Sequence, residues 1–207
     1  MSEYKTVVRE TEYISVIERS KFICLIRGVE SEEDAKSFID AARKKYPLAN
    51  HYCYAYIADE KGLNQKFSDD GEPHGTAGLP ILNAIKNRGL CKVAAVVVRY
   101  FGGIKLGTGG LSRAYGGTAL ETIDKAEIIT LTEAEFFSLT LSYAQYKKIS
   151  ALIAGITVLI EYDKDVKVKI AIKHGVKEQL FNKISENLGV EISVAKVGEG
   201  YFEFKDR

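Results

Sequence analysis

No aspartate or glutamate occurs between Pro73 and Leu120, although the 207-residue chain carries 28 of them. Cations do occur there: Lys86, Arg88, Lys92, Arg99, Lys105 and Arg113. Setting those six charges apart from the net +1 leaves the rest of the chain at −5, so a nearly neutral average conceals a polar distribution. Cysteine is almost as scarce. Cys24, Cys53 and Cys91 show no C-x-x-C spacing and are odd in number, which argues against both a disulfide framework and a thiol-based zinc site. A reducing cytoplasm is the expected setting. No apolar run approaches the roughly 18 residues of a membrane span, and Met1-Ser2-Glu3-Tyr4-Lys5 lacks the basic-then-apolar order of a signal peptide, so no membrane contact is expected. Repeats, low-complexity segments and a proline- or serine-rich linker are also lacking.

What is present suits a soluble globular protein of one large or two small domains, with 46% hydrophobic and 28% charged residues. Aromatic and β-branched content predicts strands over Tyr13–Ile17, Phe22–Gly28 and Tyr52–Ala58. Ser31 with Asp34 reads as a capping box opening a helix whose face is Ala35, Phe38, Ile39, Ala42 and Tyr46, stopped by Pro47. A second helix is expected to begin near Gly78-Leu79-Pro80, with proline tolerated in the first turn, and to end near Gly89. The apolar run Cys91–Phe101 then reads as a central strand covered on both faces, followed by a glycine-rich loop and a helix from Leu111 to about Ala126. Beyond Glu135 the pattern becomes β–α–β–β–α–β: Phe136–Leu141, a helix bearing Tyr146 and Ile149, Thr157–Tyr162 and Val166–Ile172 around Asp163-Lys164-Asp165, a helix ending at Gly189, and strand material to Phe204. That order matches the ferredoxin-like motif. The predicted class is α+β, with an N-terminal domain over residues 1–134 and a C-terminal one over 135–207.

Two constellations bear on chemistry. Residues 102–117 hold seven of the 18 glycines. Such a run lets successive N–H groups converge on an anion at a helix start, with Lys105 and Arg113 adding charge and Tyr100, Phe101 and Tyr115 available for base stacking or for the core. The phosphate-contacting set expected is Arg99, Tyr100, Lys105, Gly107, Gly109, Gly110 and Arg113. It has neither the Walker A spacing nor a regular GxGxxG. The second constellation, Asp69-Asp70-Gly71-Glu72-Pro73-His74, places Asp69, Asp70 and Glu72 as a possible acidic site for a hard cation or for acid–base work, against the plainer reading of a solvated turn. His51 and Cys53 share a strand face without a visible orienting third group, and a core thiol is the expected fate of Cys53.

Ser20-Lys21-Phe22-Ile23, His51-Tyr52-Cys53-Tyr54-Ala55, Asp69 through Gly78, and Val98-Arg99-Tyr100-Phe101-Gly102-Gly103-Ile104-Lys105-Leu106-Gly107 together resemble the IMPACT family in its bacterial, YigZ-like two-domain form. His74 stands where that family often has serine, and Val98 where threonine is common. The resemblance implies an N-terminal two-layer α/β domain similar to the fourth domain of elongation factor G and to the GHMP kinases, and a C-terminal domain similar to that factor's fifth. It also implies a translation-linked regulatory role, with RNA or the ribosome as the expected partner and a protein partner as an alternative. No catalytic residue, cofactor or metal is assigned on this reading. A phosphate-ligand enzyme is the other alternative, because Gly109-Gly110-Leu111-Ser112-Arg113-Ala114 resembles the GHMP kinase phosphate loop, with Arg113 in place of its second serine.

Overall fold

Residues 2–204 are described by the computed structural model, whose elements run β1 (Glu3–Val7), β2 (Thr11–Ile17), β3 (Ser20–Gly28), α1 (Glu32–Lys45), β4 (His51–Ile57), β5 (Gln65–Ser68), α2 (Gly78–Asn87), β6 (Val93–Tyr100), α3 (Gly107–Lys125), β7 (Ile128–Leu141), α4 (Tyr143–Ile153), a 3₁₀ turn (Ala154–Ile156), β8 (Thr157–Tyr162), β9 (Val166–Lys173), α5 (Lys177–Leu188) and β10 (Val194–Phe202). The chain divides into two units: Tyr4–Thr130, and residues from Leu131 onward together with the first residues of the chain. No helix among the described residues is long and apolar enough to cross a membrane. The architecture is mixed α/β in both units.

In the first unit the strand order is β2-β3-β6-β4-β5, and every neighbouring pair is antiparallel. Alternation along β6 decides what each face buries. Val93, Ala95 and Val97 meet Phe22, Cys24, Ile26, Cys53 and Ala55 under α2 and α3, which supply Ile81, Ile85, Leu111, Tyr115, Ala119 and Ile123. Ala94, Val96 and Val98 turn the other way, onto Phe38, Ile39 and Ala42 of α1. The two-layer expectation for this domain is thereby corrected to three layers, helix on both faces of one sheet. The reason lies in β6 itself, buried along all but its last residue, which leaves no solvated face in the middle of the sheet.

Local sequence explains most helix ends. Ser31 accepts a hydrogen bond from the Asp34 amide, and three acids fill the first turn of α1. Asp34 itself reaches Arg27 and the Glu30 amide, not the Ser31 amide that a full capping box requires. Gly189, at φ +69°, ends α5 in the left-handed conformation. The helix expected from Leu111 begins a turn earlier, at Gly107, so Gly107, Gly109 and Gly110 form its first turn and the loop proper shrinks to residues 101–106. Strands β1 and β5 have no counterpart among the expected elements.

In the second unit β7, β8, β9 and β10 pair antiparallel in the order β10-β7-β9-β8, within a five-stranded sheet whose remaining strand, β1, also pairs with β7. Ile149 and Ile153 of α4 and Ile184 and Leu188 of α5 cover one face, against Phe137, Leu139, Val168 and Ile170.

The departure of the chain from β6 is held by a close approach. A Cβ on Gly102 would overlap the Arg19 carbonyl in the β2–β3 turn, and the Gly102 amide donates to Ser20 Oγ at 3.1 Å. Gly102→Ala should therefore force the loop off that turn and destabilise the protein by roughly 1–3 kcal/mol. Urea unfolding should show a lower midpoint at unchanged m-value, and an unchanged midpoint would refute the contact.

Candidate functional site

Strand alternation sets the direction of Arg99. It follows Ala95 and Val97 along β6 and so points under α3, whereas Tyr100 points to the α1 side. Arg99 is 4% exposed. Its Nη1 donates to Glu72 Oε1 at 2.6 Å, its Nη2 to Ser20 Oγ at 3.3 Å, and its guanidinium lies 5.3 Å from the Phe22 ring centre and 5.4 Å from that of Phe101. The Glu72 side chain is 4% exposed and also accepts from the Tyr115 hydroxyl at 2.7 Å. His51 Nε2 stands 3.8 Å from the same carboxylate. Its Nδ1 faces the Asp70 carbonyl at 2.9 Å, an acceptor, so the proton belongs on Nδ1.

The three carboxylates of the acidic turn are thus engaged separately. Asp69 accepts from the amides of Gly75, Ala77 and Gly78, the last two at the start of α2, and acts as a cap delivered from outside the helix. Burial raises its pKa, but those backbone donors outweigh burial and hold it below the ordinary 3.8. Asp70 accepts from the Tyr52 amide and from Arg43, which lies over the Tyr52 ring. No cluster of three potential metal ligands occurs among the described residues. Cys53 is fully buried and donates to the Asp69 carbonyl at 3.0 Å. Burial pushes its thiol well above the usual range, and the Tyr115 phenol likewise, so neither is an ionised nucleophile near neutral pH.

The six-cation window therefore splits. Arg88 pairs with Asp124, Lys92 with Glu30 and Arg99 with Glu72. Among the described residues Lys86, Lys105 and Arg113 form no ion pair, and all three are exposed. A cavity of about 270 Å³ opens beside the start of α3, lined by Glu72, Arg99, Phe101, Lys105, Gly107 and Thr108. A second of about 460 Å³, lined by Glu18, Ile104, Lys105, Gly110 and Arg113, lies on the other side of Lys105. Of the expected set, Lys105, Gly107, Gly109, Gly110 and Arg113 gather at this helix start. Arg99 reaches the cavity wall from the core, with Nε lacking a partner among the described residues. Tyr100 is apart from it, its hydroxyl donating to the Pro47 carbonyl at 3.0 Å. Phe101, 46% exposed, is the aromatic that borders the cavity, and Tyr115 is wholly in the core.

The family model for the Impact N-terminal domain matches residues 18–123. The IMPACT family member YvyE of Bacillus subtilis is 46% identical over 129 residues, which span 62% of this chain and 59% of that protein. The IMPACT family member YigZ of Escherichia coli is 37% identical over 172 residues, 81% of each chain. Among solved structures, a crystal structure of a hypothetical protein aligns over 95% of this chain and 98% of its own, at TM-score 0.65 and 30% identity.

Two variants test the buried network. Glu72→Gln leaves Arg99 buried without its counter-charge and should cost roughly 3–5 kcal/mol, while Glu72→Leu combined with Arg99→Met should recover most of it. Equal losses in the single and double variants, read by denaturant titration, would contradict the pairing. For Asp69 the folded pKa lies below the unfolded value of 3.8, so its contribution is complete above that value and is lost as pH falls through the folded one. Asp69→Asn should lower stability at neutral pH and flatten the acid limb of the stability profile; an acid limb parallel to wild type would contradict this role.

Proposed function

The chain belongs to the IMPACT family, and from that footing we propose that it is a translation-linked RNA- or ribosome-binding protein whose α3 start receives a backbone phosphate. The observation that carries the reading is the uncapped first turn of α3, set between two unpaired cations. Leu106 precedes it with no side-chain cap, and no acid occurs in its first turn. Its orphan amides and the helix dipole favour an oxyanion, with Lys105 on one side and Arg113 on the other.

Gly109 supports the same reading from another direction. Glycine in a helix costs about 1 kcal/mol relative to alanine. Yet a Cβ at Gly109 would meet only the Arg113 guanidinium, at 3.5 Å, so packing gives no reason for its absence. Room for a ligand against bare backbone does. The acidic turn does not oppose an anion here, since Glu72 is neutralised by Arg99, Asp70 by Arg43, and Asp69 by backbone donors. In the second unit, the order β7-α4-β8-β9-α5-β10 with sheet order β10-β7-β9-β8 supports the ferredoxin-like reading and, with it, the likeness to ribosome-contacting domains.

Co-sedimentation with ribosomes at low and high salt, with RNA affinity by filter binding, tests this. Lys105→Ala with Arg113→Ala should weaken binding and reduce the salt slope by about one to one and a half. Gly109→Ala should raise thermal stability and weaken binding together, a pairing of signs that a purely structural glycine does not produce. Unchanged affinity and slope in both variants would refute the proposal. Arg99→Ala is no probe of it, because that residue holds the core.

A further inference from the structure

On the second unit, the sheet face turned away from α4 and α5 carries an arrangement that is independent of the α3 site. Alternation along β9 places Lys167, Lys169 and Lys173 on this face, and none forms an ion pair among the described residues. Their cross-strand partners on β7 are Thr140, Ser138 and Ala134, all without charge. Among the described residues of β7 to β10 one acid shares the face, Glu161 on β8, opposite Lys167.

Phe136 occupies the middle of β7 with small residues on either side: Ala171 opposite it on β9 and Gly198 opposite it on β10, where a register shift marks a bulge. A Cβ at Gly200 would lie 2.9 Å from the Phe136 ring, so glycine there makes the space in which the ring rests. Lys169 holds its ammonium 4.7 Å from the ring centre. Beside them is a depression of about 240 Å³ lined by Ser138, Lys167, Lys169, Glu161, Leu159 and Val197, the last two each 51% exposed, in which two lysines outnumber the one carboxylate. An aromatic ring on a floor of small residues, a row of lysines at strand spacing and an adjoining concavity are the elements with which a four-stranded sheet takes unstacked bases and their phosphates.

We propose that this face, on which Phe136 is half-buried, binds single-stranded RNA, with a base on Phe136 and phosphates along Lys167, Lys169 and Lys173. This goes beyond the α3 reading and does not depend on it. A duplex keeps its bases stacked inside and offers Phe136 nothing, so preference for unpaired strands is the distinguishing property.

The test is fluorescence anisotropy of the full chain with a labelled short oligouridine at low salt, beside an RNA duplex of equal length. Phe136→Ala should weaken oligouridine binding about tenfold and leave duplex binding unchanged. Phe136→Tyr should restore it, and Phe136→Leu, which keeps apolar volume against Gly200, should not. The Lys167→Ala, Lys169→Ala and Lys173→Ala triple variant should lower the single-strand salt slope by about two. The Lys105→Ala and Arg113→Ala pair reads the α3 site separately: loss of oligouridine binding there alone, with Phe136→Leu as tight as wild type, overturns this proposal and leaves the other standing. Oligouridine binding by the wild type that is absent, or that Phe136→Ala and duplex competition affect equally, also overturns it.

Discussion

Arg99 and Glu72 form the contact on which the first unit's geometry turns. Four segments meet at it: the start of β3 through Ser20 and Phe22, the turn before α2 through Glu72, the end of β6 through Arg99, and α3 through Tyr115. A buried pair of this sort adds little net stability over an apolar replacement of equal size. Its consequence is positional. With the guanidinium gripped on several sides, β6 must end where it does, and the chain must leave over Gly102 toward the start of α3. The acidic turn is fixed by the same contact, since Asp69, Asp70 and Glu72 each point to a different partner and cannot slide together.

That arrangement also explains the charge pattern. The acid-free window covers β6 and much of α2 and α3, whose inward faces exclude carboxylates by burial alone. Three of its cations answer acids from outside the window, and these pairings neutralise what the composition presents as a single basic block. The charge left over is local. It resides at Lys105 and Arg113 about one helix start, and at Lys86 in the last turn of α2, where a cation suits the dipole.

Much of this was legible in the sequence, and the misses have physical causes. Helix α1 announced itself through Ser31 and its apolar spacing, α2 through Pro80, β6 through its unbroken apolar run and the end of α5 through Gly189. Strands β1 and β5 are five and four residues long, and β5 is mostly exposed, so neither carries an alternation long enough to read. The third layer was implicit in β6, because a strand buried on both faces requires helices on both. For the site, a count of charges cannot distinguish Arg99 from Lys105. Strand parity can: Arg99 follows Val97 on the face under α3, and Tyr100 necessarily takes the opposite one. The engagement of Glu72 by residues from β6 and α3 is a tertiary fact with no local signature.

Helix starts in this chain follow one rule, which sharpens the meaning of the exception. Helix α1 has Ser31 and three acids, α4 has a full capping box from Ser142 and Gln145, α5 has Glu178 in its first turn, and α2 receives Asp69 from a distance. Among the described residues α3 alone receives neither a side-chain cap nor a carboxylate, and it opens on Gly107-Thr108-Gly109-Gly110, a poor helix-forming sequence. A chain that caps three helix starts with side chains and sets an acid in the first turn of a fourth has the means to serve the fifth. Leaving that end bare and flanked by two unpaired cations departs from the capping preference that the other helix starts satisfy, and such conflicts gather where a fold meets its ligand. The negative charge that this helix start lacks is what the proposed phosphate would supply.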